Sequence, residues 1–233
     1  MIALLIIPLV IFLYFLYTYW RIKKAYSLAH ITYTKSVQLG KKSGKRLKVL
    51  VLGDSIGTGV GASCFENSVG GRIASHLAKK YRVIFRNASV NGSKMSNLLS
   101  RKAPKEKQDV TVILISSNDV IRFTDFREFR KSTRKVIEIY SRLSEKLIVI
   151  GPANVGHAKF LPLGFRISYL YRGPKYAKIL KKSSARFKNV VYINSIKPSE
   201  SLGVYKQDYY SSDTLHPNDK GHKFWFDMIK PYL

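Results

Sequence analysis

The sequence predicts an α/β fold in which a mostly parallel sheet of five strands is covered by helices on both faces. Short runs rich in β-branched residues alternate with longer amphipathic stretches, a pattern typical of parallel strands joined by helical crossovers. The chain has 233 residues, of which 45% are hydrophobic, so it can bury one sizeable core. A single long apolar run precedes this pattern and predicts a membrane segment before the domain.

Residues 1 to 20 form that apolar run and are predicted to be a single-pass transmembrane anchor. They contain no charged side chain and end in an aromatic cluster that includes Tyr19 and Trp20. A helix of this length rises about 30 Å, which matches the hydrocarbon thickness of a bilayer, and Tyr and Trp suit the headgroup level. A cleaved signal peptide is disfavoured, because residues 1 to 3 hold no basic side chain and residues 18 to 20 are bulky.

Residues 21 to 46 are predicted to be a basic juxtamembrane segment that ends in a polar linker over 36–46. Between residues 21 and 48 there are nine basic side chains and no acidic one. Basic flanks of membrane segments stay on the cytoplasmic side, so the domain over 47–233 is expected there. The alternative is export to the periplasmic or extracellular side.

The charge of the chain bears on its partners. Its 41 basic and 14 acidic residues give a net charge of +27, which favours an anionic membrane surface as well as a merely solvated basic surface. Nucleic acid is not expected, because the basic residues are dispersed and follow no zinc-finger, RNP or basic-zipper pattern. The single cysteine, Cys64, excludes an internal disulfide and multi-cysteine metal sites. The oligomeric state is not predicted.

The predicted elements alternate along the domain. The predicted strands are 47–53, 81–88, 109–116, 146–151 and 189–195, and the predicted helices lie near 67–80, 93–102, 125–144, 174–187 and 217–230. Because ligands bind at the carboxyl ends of parallel strands, the residues that follow each strand are the candidates for chemistry.

A serine among glycines follows the first predicted strand. The sequence Gly-Asp-Ser-Ile-Gly over 53–57 presents Ser55 in a small-residue turn, where a hydroxyl can stand clear of the backbone as a nucleophile. An ordinary glycine-rich turn is the alternative. A nucleophile elbow of the α/β-hydrolase fold would follow several earlier strands, and a phosphate-binding loop would need Gly-Lys-Ser/Thr, so both are disfavoured.

A carboxylate and a histidine stand three residues apart near the C-terminus. Asp213 can accept a hydrogen bond from the Nδ1–H of His216 and leave Nε2 free to take a proton from a serine. Pro217 is predicted to be the first residue of the last helix, with His216 at its cap. Taken alone, this pattern is explained more simply by an Asp and a His that merely cap a helix.

The two motifs together resemble the SGNH or GDSL hydrolase family. That family carries a glycine after the second strand and Gly-x-Asn-Asp after the third, and Gly92 and Ser116-Ser117-Asn118-Asp119 stand at those places. The resemblance covers 47–233 and is greatest for bacterial lysophospholipase-type esterases with one N-terminal membrane helix. It implies a three-layer, flavodoxin-like fold and a membrane-anchored serine esterase that needs no metal or organic cofactor.

The resemblance also implies the roles of individual residues. Ser55 is expected to be the nucleophile, His216 the general base and acid, and Asp213 the residue that orients the imidazole. The oxyanion hole would consist of the backbone N–H groups of Ser55 and Gly92 and the side-chain amide of Asn118. Esters of lipid-like acyl groups, such as lysophospholipids, are the expected substrates, while thioesters and acetylated sugars stay open.

One position departs from the family pattern. Ser116 stands where the family has glycine, and its hydroxymethyl group could crowd Asn118 or narrow the site. A catalytically impaired module that binds a membrane surface therefore stays open as an alternative function. An acyltransferase that uses the same triad is a second alternative, independent of Ser116. Four aromatic residues after the fourth strand could line an acyl pocket or touch lipid, although core packing explains them more simply: Phe160, Phe165, Tyr169 and Tyr171.

Overall fold

A computed structural model describes residues 2–154, 156, 163–201 and 207–233 of the chain. Six strands form one sheet: β1 (Ser36–Leu39), β2 (Arg46–Gly53), β3 (Arg82–Asn87), β4 (Gln108–Leu114), β5 (Ser144–Ile150) and β6 (Val190–Ile193). Eight α-helices lie in the described residues: α1 (Ile2–Leu28), α2 (Ser55–Thr58), α3 (Val69–Ala78), α4 (Ser117–Ile121), α5 (Phe126–Arg142), α6 (Leu163–Ser184), α7 (Ile196–Ser201) and α8 (Asp219–Ile229). Short 3-10 helices cover Met95–Ser100, Gln207–Tyr209 and Lys230–Tyr232.

The strand order is β1-β3-β2-β4-β5-β6, and every pairing except that of β1 is parallel. The predicted α/β class and mostly parallel sheet are therefore confirmed. The predicted count of five strands is wrong, because Ser36–Leu39 of the predicted linker pairs antiparallel with β3 at the edge of the sheet. The chain runs from β2 to β3 on one side of β2 and then crosses to β4 on its other side, so a crevice opens between the carboxyl ends of β2 and β4.

Apolar side chains on both faces of the sheet hold its two helical layers. Leu52 and Ile113 point to one face and pack with Phe129 of α5 and Tyr176 of α6. The other face packs against α3 and α8, with Val51, Val112, Ile73 and Trp225 in contact. Strands buried on both sides explain the nearly continuous apolar runs from which they were predicted.

The apolar N-terminal run forms most of α1. Its large apolar side chains from Ile6 to Trp20 are each at least 45% exposed. Among the residues whose side chains the structure describes, no helix combines the length and the apolar character needed to cross a membrane. The predicted transmembrane span over residues 1 to 20 is thus not confirmed.

Two helix starts differ from the predictions. The last helix begins at Asp219, because the side chain of Asn218 accepts hydrogen bonds from the N–H groups of Lys220 and Gly221 and caps it. The prediction that His216 caps this helix and that Pro217 begins it is therefore wrong. Helix α6 begins at Leu163 and carries Pro174 inside it, whereas the prediction placed that proline at the start.

Candidate active site

Ser55 lies at the carboxyl end of β2, as the first residue of the four-residue helix α2. Asp54 caps this helix, and its Oδ1 accepts a hydrogen bond from the N–H of Ile56 at 3.0 Å. Gly59 ends the helix in the left-handed conformation, with φ of +86°. This tight turn leaves Ser55 half-buried at the crevice between β2 and β4.

The turn after Ser55 packs directly on the segment that follows His216. Gly61 has φ of +88°, and a Cβ there would lie 2.3 Å from the carbonyl oxygen of Pro217, so only glycine fits. The N–H and hydroxyl of Ser63 both donate to the carboxylate of Asp219, at 2.8 and 2.6 Å. These contacts bring the two motifs, which are more than 150 residues apart in sequence, to one place.

Asp213 and His216 form a buried pair. His216 Nδ1 lies 2.5 Å from Asp213 Oδ2, and the two residues are 8% and 2% exposed. Asp213 Oδ1 also accepts hydrogen bonds from the hydroxyl of Ser211 and from the N–H groups of Leu215 and His216. Burial raises the pKa of Asp213, but the hydrogen bonds and the His216 ring outweigh it, so the pKa lies below its usual range. Asp213 is therefore charged and can hold the imidazole in the tautomer that carries a proton on Nδ1.

Asn118 belongs to α4, the short helix that follows β4. Its side-chain amide donates to the carbonyl oxygen of Ser93 at 3.2 Å and to Asp54 Oδ2 at 3.4 Å. Gly92 immediately precedes Ser93 and has φ of +70°, a conformation that L side chains rarely adopt. The structure thus brings Asn118, the residue after Gly92 and the residue before Ser55 together across the crevice.

Asp54 and Asp119 were not assigned a role from the sequence, although both belong to the motifs. Burial raises the pKa of Asp54 to about 7, while the Ile56 N–H and the His216 ring act in the opposite direction. Burial likewise raises the pKa of Asp119 to about 6, and its carboxylate accepts from the N–H of Met95 at 2.8 Å. Both residues can be identified in the sequence motifs, but their burial and their neighbouring groups depend on the fold and cannot be predicted from the motifs.

Ser116 is strained at the position where the resembled family has glycine. Its φ is +135°, its side chain is fully buried, and its hydroxyl has no hydrogen-bond partner within the described residues. Such a conformation costs on the order of 1 to 3 kcal/mol for a residue with a Cβ. The backbone geometry explains why glycine suits this position.

The remaining candidates lie apart from this arrangement or outside the described residues. Within the part of the chain that is described, Ser55 Oγ forms no hydrogen bond with the His216 ring. His222 is buried, its Nε2 lies 3.0 Å from the carbonyl oxygen of Val60, and burial lowers its pKa to about 4. His157 and Phe160 are not described, nor is the side chain of Phe165.

A metal centre has no support in the described ranges, since none of their His, Cys, Asp and Glu side chains cluster in a group of three or more that could hold an ion.

A family model described as GDSL-like Lipase/Acylhydrolase family matches residues 51–224. No curated protein matches the sequence significantly.

Solved structures share the fold at low sequence identity. An alpha/beta hydrolase enzyme from the metagenome of Lake Arreo, Spain, is 16% identical with a TM-score of 0.63, over 81% of this chain and 95% of that one. A catalytic mutant of an acetylxylan esterase from Geobacillus stearothermophilus is 18% identical with a TM-score of 0.62, over 82% and 95%. The structure of TesA is 20% identical with a TM-score of 0.60, over 79% and 96%.

Proposed function

Because the chain belongs to the GDSL-like lipase/acylhydrolase family and is an ester-bond hydrolase, we propose that it cleaves carboxylic esters through an acyl-enzyme on Ser55. The resemblance to this family, predicted from the motifs, is confirmed. The observation that carries the proposal is the buried contact of 2.5 Å between Asp213 and His216, beside the turn that presents Ser55.

In the proposed reaction, Ser55 Oγ attacks the ester carbonyl carbon while its proton passes to His216 Nε2. Asp213 stabilises the imidazolium that forms, because its charged carboxylate accepts the Nδ1–H. Collapse of the tetrahedral intermediate expels the alcohol, which takes the proton from Nε2. Water then attacks the acyl-enzyme and gives a proton to His216, which passes it to the departing Ser55 Oγ as the carboxylic acid is released.

The negative charge of the intermediate is proposed to be stabilised by the N–H groups of Ser55 and Gly92 and by the amide of Asn118. Ester attack places that charge on the carbonyl oxygen, where preset donors stabilise it most. Both N–H bonds of the Asn118 amide point to protein acceptors in this structure. The longer contact, 3.4 Å to Asp54, is the one that the oxyanion would replace.

We propose that the substrates are acyl esters held at an anionic membrane surface, with lysophospholipids as the leading class. The exposed apolar side chains of α1 and the net charge of +27 support membrane attachment through residues 1 to 20. The nine basic residues between 21 and 48 support a cytoplasmic location of the domain. A compartment-sensitive reporter fused to the C-terminus tests this location, and a signal from the exported side would contradict it.

The test of the catalytic proposal is hydrolysis of 4-nitrophenyl esters from acetate to palmitate by the full chain in detergent. Ser55→Ala and His216→Ala should each lower kcat by at least about 1,000-fold. Ser75→Ala and His76→Ala on α3 are the matched controls and should change it by less than about twofold. Equal rates for the parent and Ser55→Ala would support the impaired binding module, and ester formation with an added alcohol would support acyl transfer.

A further inference from the structure

We infer that the carboxyl edge of the sheet faces a lipid bilayer, so that ester substrates enter the candidate site from the lipid side. The inference rests on the proposed function, since it names the phase from which that site takes its substrate. It depends on three features of this edge: where α1 joins the domain, which apolar side chains lie exposed there, and the charges beside them.

Helix α1 joins the domain next to the candidate site. The side-chain amide of Asn91 donates to the carbonyl oxygen of Ala29, just past the end of α1, at 2.6 Å. Its Oδ1 accepts from the hydroxyl of Thr58 at 2.5 Å, and the N–H of Tyr33 donates to the carbonyl oxygen of Thr58 at 2.7 Å. Thr58 ends the helix that begins with Ser55. A surface that binds α1 therefore also lies close to the mouth of the site.

Four exposed apolar side chains, which we call the apolar rim, lie along the same edge. They are Val90, Phe123, Ile167 and Tyr171, with exposed fractions of 54%, 39%, 68% and 66%. Val90 and Phe123 follow the carboxyl ends of β3 and β4, and Ile167 and Tyr171 lie in the first three turns of α6, which Tyr169 joins to the end of α4. Large apolar side chains exposed together on one edge indicate a surface that is covered in use.

Hydrogen bonds and ring contacts connect the rim to the candidate site. The N–H of Val90 donates to the carbonyl oxygen of Gly53 at 3.0 Å, beside the start of the Ser55 turn. The hydroxyl of Tyr169 donates to the carbonyl oxygen of Ile121 at 3.0 Å, which fixes the first turns of α6 on the end of α4.

Phe123 supports a functional reason for the rim. Its φ is +52°, which is rare for a bulky residue and costs free energy. Its ring lies 5.1 Å from the ring of Tyr169, and yet it keeps 39% of its surface exposed. An exposed apolar ring that is held in place at a cost in free energy indicates a function for the apolar rim.

The charges beside the rim select a lipid surface as its occupant. Lys175 is exposed, and its ammonium group lies 3.8 Å from the centre of the Tyr171 ring. Aromatic rings with adjacent cations are suited to the headgroup region of an anionic bilayer. A second copy of this chain is a poor occupant, because each copy carries a charge of +27.

The orientation is tested by an environment-sensitive fluorophore on a single cysteine. In the full chain with Cys64→Ser, Tyr171→Cys places the fluorophore on the rim, and Tyr232→Cys places it at the opposite edge as a control. Tyr232 is 41% exposed, and its carbonyl oxygen accepts a hydrogen bond from Lys146 near the start of β5. With vesicles of equal parts phosphatidylglycerol and phosphatidylcholine, the fluorophore at 171 should shift to the blue and be quenched by spin-labelled lipid. A fluorophore at 171 that stays in water on vesicle-bound protein would overturn the inference.

Activity gives a second, separate test. Ile167→Asn with Tyr171→Asn should lower the rate on a long-chain ester carried in those vesicles by about tenfold and leave a soluble acetate ester within about twofold. The control pair is Ile139→Asn with Tyr232→Asn, which should change neither rate. An unchanged vesicle rate, or an equal loss on both esters, contradicts the inference. If the parent cleaves no ester, the proposed function fails, while the fluorophore still decides the orientation.

Discussion

Asp54 and Asp213 lie at the same edge of the sheet and are equally buried, at 2% exposure each, but they differ in acidity. Burial alone raises both pKa values. Asp213 receives hydrogen bonds from the His216 ring, the Ser211 hydroxyl and two backbone N–H groups, and its pKa is lowered. Asp54 receives one backbone hydrogen bond at 3.0 Å and a longer contact from Asn118, and its pKa rises to about 7. The hydrogen-bond donors around a carboxyl group, and not its exposed area alone, decide whether it keeps its charge.

Removing the charge of Asp213 should produce the largest effect. Asp213→Asn is expected to lower kcat about 10,000-fold, because a neutral amide neither fixes the tautomer of His216 nor stabilises the imidazolium. The measurement is steady-state hydrolysis of a soluble 4-nitrophenyl ester. Asp227→Asn on the exposed face of α8, where the carboxylate pairs with Lys223, is the control and should stay within about twofold. A loss of less than about tenfold for Asp213→Asn would mean that its pair with His216 is structural.

Removing the side-chain amide of Asn118, which contacts Asp54, should have the second largest effect. Asn118→Ala is expected to lower kcat by about 100- to 1,000-fold with little change in KM, because the amide is proposed to act on the transition state. Asn97→Ala, at an exposed helix start, is the control. If Asn118→Ala instead raises KM at constant kcat, the amide binds the substrate and not the oxyanion.

Asp54 and Asp213 should also give opposite dependences of stability on pH. The folded-state pKa of Asp54 is raised, so its contribution to stability is fully present below the unfolded value of 3.8 and is lost as pH rises from there through about 7. The folded-state pKa of Asp213 is lowered, so the contribution of Asp213 to stability is present above the unfolded value of 3.8 and is lost as pH falls below that value. Asn is also a good helix cap, so Asp54→Asn should leave α2 intact. Between pH 4 and 8 the free energy of unfolding of the parent should fall by at most about 4 kcal/mol because of Asp54, and this fall should be absent in Asp54→Asn.

Urea unfolding at several pH values and constant ionic strength measures this dependence. The parent should lose stability as pH rises from 5 to 8 relative to Asp54→Asn. Parallel curves for the two proteins would show that Asp54 has an ordinary pKa and that burial does not dominate at this position.

Ser116→Gly should have the smallest effect, and the opposite sign. Glycine adopts a φ of +135° without strain and leaves no unpaired buried hydroxyl, so we expect a gain of about 1 kcal/mol in the free energy of unfolding. A thermal shift assay measures it, with Ser75→Gly on α3 as the control that should lose stability. A lower melting temperature for Ser116→Gly would mean that the hydroxyl has a stabilising partner.

The sequence predicted the central strands to within about two residues because burial on both faces leaves continuous apolar runs. It did not predict β1, since Ser-Val-Gln-Leu is short, alternates in exposure and pairs antiparallel at an edge. The start of α8 was missed because the amide oxygen of Asn218, and not the ring of His216, accepts the free N–H groups.

The candidate residues of the site were identified from motifs, while their environment was not. Asp213 and His216 are in contact, as their spacing of three residues predicts. The raised pKa of Asp54 and the strain at Ser116 depend on burial, on neighbours from distant segments and on backbone angles. Neither is visible in a local pattern, because both arise only when β2, β4 and the C-terminal segment come together.

The antiparallel pairing of β1 with β3 determines where the chain can be shortened. A fragment that starts at Arg46 would lack β1 and expose the backbone N–H and C=O groups of β3 along an open edge. Such an edge invites pairing with another molecule, so this fragment should aggregate on expression. A fragment that starts at Thr32 would keep Tyr33 and the whole of β1, and it is the better choice for crystallisation.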